Sequence, residues 1–165
     1  METHTKEKKS YIKLGFSGKE TQELVSSMNL LLADFHVFFQ KLRNYHWNVT
    51  GGDFFDLHEK FEELYTESFE NIDEIAERIK VFGMTPLSTY NDYLKNATIK
   101  ETGTDLSAKE MLEQVLQDIE MLDSSIIEVI DKAADYGDVA TMDMMNKMAK
   151  SFEKHHWMLK AFSKE

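Results

Sequence analysis

Histidine and carboxylate side chains recur at helical spacing between residues 58 and 77. Four of them are candidate metal ligands: His58, Glu62, Asp73 and Glu77. At about 100° per residue, the last three lie about 40°, 60° and 100° around a helix from His58. His58/Glu62 and Asp73/Glu77 are each four residues apart, so each pair can face one small ion. Imidazole nitrogen and carboxylate oxygen together suit iron, manganese or zinc.

The two pairs of one helix cannot hold the same ion. Glu62 and Asp73 are separated by roughly 16 Å at 1.5 Å of rise per residue, whereas metal–ligand bonds are about 2.0–2.6 Å long. Either the helix carries two half-sites, or another chain completes each one. An antiparallel copy crossing near Glu67 and Ser68 would place the first pair of one chain opposite the second pair of the other. Two-fold dimers are the commonest oligomers, so the spacing predicts two identical sites at a dimer seam.

His46 extends the first pair. It precedes His58 across a glycine turn, so the two imidazoles can approach each other. We predict that His46, His58 and Glu62 form a half-site. Asp73 and Glu77 of a partner chain would close it into a site complete for one or two Fe(II) ions. Any acidic helix also yields carboxylates four residues apart, and residue types alone leave an ordinary solvated face as the alternative.

Four long helices are predicted to position these side chains. Apolar residues recur at helical spacing in four stretches, with predicted bounds of 17–48, 53–83, 107–134 and 138–162. Capping boxes at Ser17–Glu20 and Ser107–Glu110 mark the starts of the first and third helices. Asp53 and Asp138 are predicted to cap the other two.

Residues 84–106 form a long connection that contains the only proline, Pro86. This segment is too long for a tight hairpin, so we expect it to cross from one end of the bundle to the other, with a short helix within 87–96. One long crossover between the second and third of four helices predicts an all-α, ferritin-like four-helix bundle. The predicted domain covers residues 17–165, after a flexible, lysine-containing tail of residues 1–16.

Composition narrows the class of protein. The 165 residues suffice for one domain with a core, and the absence of cysteine excludes disulfides and thiolate metal sites. No apolar run resembles a signal peptide or a membrane span, so we expect a cytoplasmic protein. The net charge of −11 argues against a whole surface built for nucleic acid. The lysines of the tail could contact DNA phosphates, which would place the protein at the nucleoid, or could only solubilise the chain. They are Lys6, Lys8, Lys9 and Lys13.

The segment from residue 46 to 79 closely resembles the mini-ferritin family called Dps, DNA-binding proteins from starved cells. The resemblance is carried by His46-Trp-Asn-Val, a glycine turn, Phe54-Phe-x-Leu-His58-x-x-Phe, Tyr65 and Asp73-Glu-x-Ala-Glu77-Arg-Ile. It extends over about residues 20–162 and includes the ending Lys154-His-His-Trp-Met158. In that family, twelve subunits form a hollow shell with ferroxidase centres at two-fold interfaces. The resemblance therefore implies a homo-oligomer, a dodecamer built from two-fold dimers.

The resemblance also implies an activity. Family members are ferroxidases that oxidise Fe2+ to Fe3+, typically with hydrogen peroxide and otherwise with oxygen, and store ferric oxide in the shell. This protects DNA and the cell from oxidative damage. By motif position, His46, His58 and Glu62 would bind iron with Asp73 and Glu77 of a neighbour. Family members commonly have Asp where this chain has Glu62, which reaches one methylene further.

Other residues acquire roles only through the resemblance. Trp47 resembles a family tryptophan that donates electrons near the centre, with core packing as the alternative. Glu59 and Glu63 would bind a second iron or start the mineral, unless they form an ordinary acidic surface. Asp143, and less closely Asp138, match acidic residues that line three-fold pores, although Asp138 is also the predicted helix cap.

Two rival functions stay open at this stage. The first is a DNA-compacting, nucleoid-associated protein that acts mainly through its lysine-rich tail. The second is a classical ferritin with its di-iron site inside one bundle, which requires paired Glu-x-x-His motifs. Glu153-x-x-His156 formally matches one such motif, but the sequence shows no partner for it on another helix.

Overall fold

The structure is a computed structural model that describes residues 18–164, without the side chains of residues 19 and 20. Within this range the chain forms five α-helices and no strand. Their bounds are α1 Lys19–Asn48, α2 Phe54–Val81, α3 Tyr90–Asn96, α4 Ala108–Tyr136 and α5 Val139–Phe162. The predicted all-α bundle with a short crossover helix is confirmed. The predicted tail lies outside the described residues, and the domain boundary stays a prediction.

The four long helices form a bundle because each buries one apolar face. Phe35 and Phe38 of α1 meet Phe152 of α5 edge to face, with ring centroids 5.5 and 6.1 Å apart. Phe61 of α2 and Ile126 of α4 are equally inaccessible to solvent. Burying each such side chain contributes roughly 1.5–3 kcal/mol to stability. None of the described helices is both long and apolar enough to cross a membrane.

Two of the predicted helix caps are confirmed. At α4, Ser107 Oγ accepts from the backbone N–H of Glu110, and the Glu110 carboxylate accepts from the N–H of Ser107 at 2.8 Å. At α5, the Asp138 carboxylate accepts from the N–H of Thr141 at 3.2 Å. Gly137 lies between these helices with φ +66°, a left-handed conformation that favours glycine. The reversal it permits sets α4 and α5 antiparallel.

The other two helix starts differ from their predictions. Helix α1 begins at Lys19 after Gly18, which offers no side-chain cap, and Ser17 of the predicted capping box lies outside the described residues. Asp53 occupies the N-cap position of α2, but its side chain caps no backbone N–H. Its backbone has φ −90° and ψ 13°, whereas a capping side chain normally needs the extended region. The predicted Asp53 cap is therefore wrong.

The crossover between α2 and α4 is fastened to α1. The buried Asp34 carboxylate accepts from the backbone N–H groups of Thr98 and Ile99 at 2.6 and 2.9 Å. The His36 ring stacks on Tyr93 of α3, with centroids 3.7 Å apart. Burial lowers the pKa of His36 from 6.5 to about 4, so its imidazole is neutral at pH 7.

Candidate metal centre

The short turn between α1 and α2 brings two imidazole rings together. His46 lies in the last turn of α1 and His58 in the second turn of α2. The two rings stack with centroids 3.7 Å apart and planes inclined by 18°. Each ring also bonds to the backbone of the other residue: His46 Nδ1 lies 2.7 Å from the carbonyl oxygen of His58, and His58 Nδ1 lies 2.8 Å from that of His46.

This reciprocal pair of hydrogen bonds selects one tautomer of both histidines. A carbonyl oxygen can only accept, so each Nδ1 must carry a proton and donate it. In the neutral ring the lone pair then lies on Nε2. Metal-binding histidines are commonly held in this way, with one ring nitrogen donating to a carbonyl and the other free for the ion. The local backbone therefore leaves the Nε2 lone pair of both histidines available to a metal ion.

Glu62 lies one turn beyond His58 on α2 and joins the two histidines. Ligand atoms of His46, His58 and Glu62 all lie within 4.8 Å of one another. Two atoms bound to one ion are up to about 4.4 Å apart, so a small rotation of the exposed Glu62 side chain brings all three to a common ion. Within residues 18–164, no other group of three His, Asp or Glu side chains is this close. The structure thus brings together the predicted half-site.

Two aromatic rings pack against the histidines of the half-site. Tyr65 meets the His46 ring edge to face at 5.4 Å, and Phe54 stacks on His58 at 4.9 Å. Burial raises the pKa of Tyr65, and the charge and hydrogen bond of Glu62 raise it further. The phenol therefore stays protonated beside the Glu62 carboxylate. We did not predict this contact, although the three-residue spacing between positions 62 and 65 is a signal that could have revealed it.

Asp73 and Glu77 do not join the half-site of their own chain. Both are exposed, and α2 runs without interruption from Phe54 to Val81. The roughly 16 Å of helix between Glu62 and Asp73 is therefore preserved in the fold. Their carboxylates remain available on the surface, and their part in metal binding stays a prediction.

Trp47 points away from the core. Its side chain is 58% exposed, so core packing within this chain does not describe it. The guanidinium carbon of Arg43 lies 4.8 Å from the centre of its ring and 5.3 Å from that of Phe39. Two more large apolar side chains of α2, Phe55 and Phe69, are 81% and 62% exposed. The exposed surface of α1 and α2 is thus unusually aromatic for one that faces water.

The remaining predicted acidic residues differ in their surroundings. Glu59, Glu63 and Asp143 are exposed, and Glu63 accepts from Lys60 at 2.6 Å. Asp138 is only 2% exposed, and Arg78 of α2 donates to its carboxylate at 2.6 Å. Asp138 is thus a helix cap with a paired charge rather than a free acidic group. The roles predicted for Glu59, Glu63 and Asp143 stay predictions.

Comparisons with known proteins extend over the whole bundle. A family model described as a ferritin-like domain matches residues 25–165. The Bacillus anthracis protein named DNA protection during starvation protein 2 is 42% identical over 141 residues, which cover 86% of this chain and 97% of that protein. The crystal structure of a Dps protein from Bacillus brevis has a TM-score of 0.86 at 41% identity, covering 89% of this chain and 99% of that one.

A further solved structure connects the fold with metal chemistry. The Dps protein from Vibrio cholerae O1 is described as a member of a broad superfamily of ferritin-like diiron-carboxylate proteins. It has a TM-score of 0.88 at 35% identity, covering 91% of this chain and 94% of that one. The likeness therefore includes sequence, fold and the length of the domain.

Proposed function

The chain belongs to the Dps family of ferritin-like proteins, and on that basis we propose that it oxidises Fe(II) and stores the ferric product inside a shell of identical subunits. The observation that carries the proposal is the convergence of His46, His58 and Glu62 within 4.8 Å. Two imidazole nitrogens and a carboxylate form a donor set that suits iron. The diiron-carboxylate description of the Vibrio cholerae relative agrees with that choice.

We propose that the second half of each centre comes from a two-fold-related subunit. Asp73 and Glu77 would supply its carboxylates, because both are exposed and too far along α2 to reach the histidines of their own chain. The exposed aromatic side chains of α1 and α2 support burial against a partner, since aromatic residues are enriched in the cores of interfaces. An isologous dimer would then contain two identical iron centres.

The proposed reaction consumes one hydrogen peroxide for two Fe(II). Each iron gives up one electron, the O–O bond breaks, two protons are taken up, and two Fe(III) and two water molecules result. Because both electrons arrive in the same centre, no hydroxyl radical is released. Oxygen is the alternative oxidant. Trp47, directly after His46, is proposed as an electron donor near the centre, and Glu59 and Glu63 are proposed to bind a second iron or start the mineral.

The proposed assembly is a dodecamer in the cytoplasm. Asp143 is exposed near the start of α5, where a ring of carboxylates at a three-fold pore would attract Fe(II) electrostatically. By removing Fe(II) and peroxide together, the shell would protect DNA and the cell from oxidative damage. The name of the Bacillus anthracis relative, DNA protection during starvation protein 2, supports this purpose.

The experiment that tests the proposal is anaerobic loading with Fe(II), followed by one addition of hydrogen peroxide. Ferric absorbance and spin trapping of hydroxyl radical are followed together. We expect fast oxidation with little trapped radical. In the His46→Ala/His58→Ala variant, the rate of oxidation should fall by at least roughly 10–100-fold. Removing even a residue that only supports a metal ligand has an effect of this size. His36→Gln, which changes a histidine of α1 outside the centre, should behave like the parent chain. Equal rates in the parent and the double variant would refute the proposal.

A second candidate function is DNA binding through the tail. The four lysines between residues 6 and 13 and the names of the relatives favour it, while the net charge of −11 opposes tight binding. We expect a gel shift at low salt that weakens at moderate salt, because phosphate contacts release counterions. Deletion of residues 1–13 should abolish the shift without changing iron oxidation. Absence of a shift at both salt concentrations would exclude this function.

A further inference from the structure

The side chain of Arg43 stacks on two aromatic rings of α1, beside the candidate metal centre. Its guanidinium carbon lies 4.8 Å from the ring centre of Trp47 and 5.3 Å from that of Phe39. The two aromatic residues are four positions after and four before Arg43, so all three side chains lie on one face of the helix. Trp47 directly follows His46 of the half-site. A positive charge is thus held over the indole that is proposed as an electron donor.

Further contacts fix the position of the guanidinium. Arg43 Nη1 donates to Gln40 Oε1 at 3.4 Å. The Phe39 ring beneath the guanidinium meets the Tyr65 ring of α2 edge to face, with centroids 6.1 Å apart. A guanidinium is planar and always charged, so it suits a position against aromatic faces. Arg43 is also half-buried, and water and salt screen its charge less than they would screen a fully exposed one.

This charge opposes the loss of an electron from the indole. The neutral ring attracts the guanidinium through its negative face, which stabilises the reduced form. Removal of one electron makes the ring a radical cation, which the guanidinium repels. Two unit charges separated by 4.8 Å shift an equilibrium by about fourfold in bulk water, and by more at the lower effective dielectric of a protein surface. The stacking therefore makes Trp47 harder to oxidise.

We propose that Arg43 is a positioning residue that makes Trp47 a reserve electron donor, one that acts only when iron cannot supply both electrons. This inference rests on the proposed oxidation of Fe(II) by hydrogen peroxide. With two Fe(II) in the centre, the iron supplies both electrons and the indole stays reduced. With one Fe(II), the indole supplies the second electron and its N–H proton. One Fe(II), one hydrogen peroxide, one indole and one further proton then give Fe(III), two water molecules and a neutral indolyl radical.

The first test measures the oxidation potential of Trp47 in iron-free, full-length protein. Trp157→Phe removes the other tryptophan, which is on α5, and square-wave voltammetry of this background chain is corrected by subtracting the signal of Trp47→Phe/Trp157→Phe. Adding Arg43→Gln to the background should lower the potential by at least about 35 mV, which is a fourfold change at 59 mV per tenfold for one electron. Arg43→Lys keeps a positive charge and should restore most of the potential.

The matched control removes a positive charge far from the indole. Lys132 of α4 donates to Ser27, which is separated from Trp47 by roughly 30 Å along α1. Lys132→Met should therefore leave the potential unchanged. Far-UV circular dichroism establishes that each variant is folded. If Arg43→Gln does not fold, Arg43→Met takes its place, because it keeps much of the apolar stem and also removes the charge.

The second test follows the indolyl radical by electron paramagnetic resonance after peroxide is added to protein with two Fe(II) per centre. The parent chain should give little radical and Arg43→Gln several times more. The proposal is overturned if Arg43→Gln leaves the potential unchanged, if Lys132→Met lowers it equally, or if Arg43→Gln gives no more radical than the parent. The voltammetry uses no iron, so a parent chain that fails to oxidise Fe(II) contradicts the proposed function separately.

Discussion

Co-expression of two inactive variants is expected to restore about a quarter of the iron-oxidising centres. One chain carries His58→Ala and the other Asp73→Ala, and each alone should lose nearly all peroxide-dependent oxidation of Fe(II). In a two-fold dimer with one chain of each kind, one centre receives both defects and the other receives none. Random mixing makes half of the dimers heterodimeric, so one centre in four regains its full set of ligands.

The matched control combines two defects from the same half-site. His58→Ala with Glu62→Ala leaves every centre damaged, whichever chains pair, so no activity should return. Ferric absorbance after peroxide addition, divided by protein concentration, measures both mixtures. If the His58/Asp73 mixture stays as inactive as its components, the centre is built within one chain or without Asp73, and the dimer-seam proposal is wrong. If both mixtures recover, the loss in the single variants has a cause other than missing ligands.

The uninterrupted α2 helix is the physical reason to expect rescue. A helix that runs from Phe54 to Val81 holds its residues at a nearly constant rise, so Asp73 cannot fold back to His58. Inside one bundle, the other helices would have to supply the missing ligands. Within the described residues, no such His, Asp or Glu completes the His46, His58 and Glu62 group at coordination distance.

The sequence predicted what is periodic or local. Helical spacing of apolar residues located the four long helices to within a few residues, and the spacing of His58 and Glu62 placed them on one face. The capping box at Ser107 is equally local and is confirmed. Asp53 failed as a cap because its backbone is not in the extended conformation that capping needs, which residue preferences alone do not describe.

Contacts between distant parts of the chain could not be predicted in this way. The hydrogen bonds that fix the proton on Nδ1 of His46 and His58, and leave the lone pair on Nε2, depend on how two helix ends meet. The ion pair of Arg78 with Asp138 joins α2 to the start of α5. Each requires the packed bundle to be known first, because side chains so far apart in sequence leave no periodic signal.

A buried ion pair between α1 and α4 is the clearest contact of this kind. Lys41 Nζ donates to Asp118 Oδ2 at 2.6 Å, and the two side chains are only 2% and 5% exposed. Burial raises the pKa of Asp118, the hydrogen bond and charge of Lys41 lower it, and the nearby Asp34 raises it. The net result is a raised pKa of Asp118, and the ammonium group of Lys41 limits this rise.

Replacing Lys41 with methionine is expected to lower the free energy of unfolding by about 3–5 kcal/mol at pH 7, because it leaves Asp118 buried without its counter-charge. The loss should depend on pH. The folded-state pKa of Asp118 is already above its unfolded value near 3.8, and without Lys41 burial and Asp34 raise it further. Between those two pKa values the unfolded state releases the proton while the native state keeps it, so stability falls as pH rises. The deficit should therefore shrink as pH is lowered toward 4.

Denaturant unfolding at fixed protein concentration, followed by circular dichroism at pH 7 and pH 5, measures this effect in an oligomeric protein. The double variant Lys41→Met/Asp118→Leu is the control, because replacing both members of a buried pair with apolar residues is often neutral or stabilising. It should recover most of the stability and lose the pH dependence specific to the single variant. If Lys41→Met leaves the unfolding midpoint unchanged, the predicted cost is wrong. Water or protonation of Asp118 would then compensate for the lost counter-charge. Recovery only in the double variant would establish that the cost comes from the unpaired carboxylate rather than from lost packing of the lysine stem.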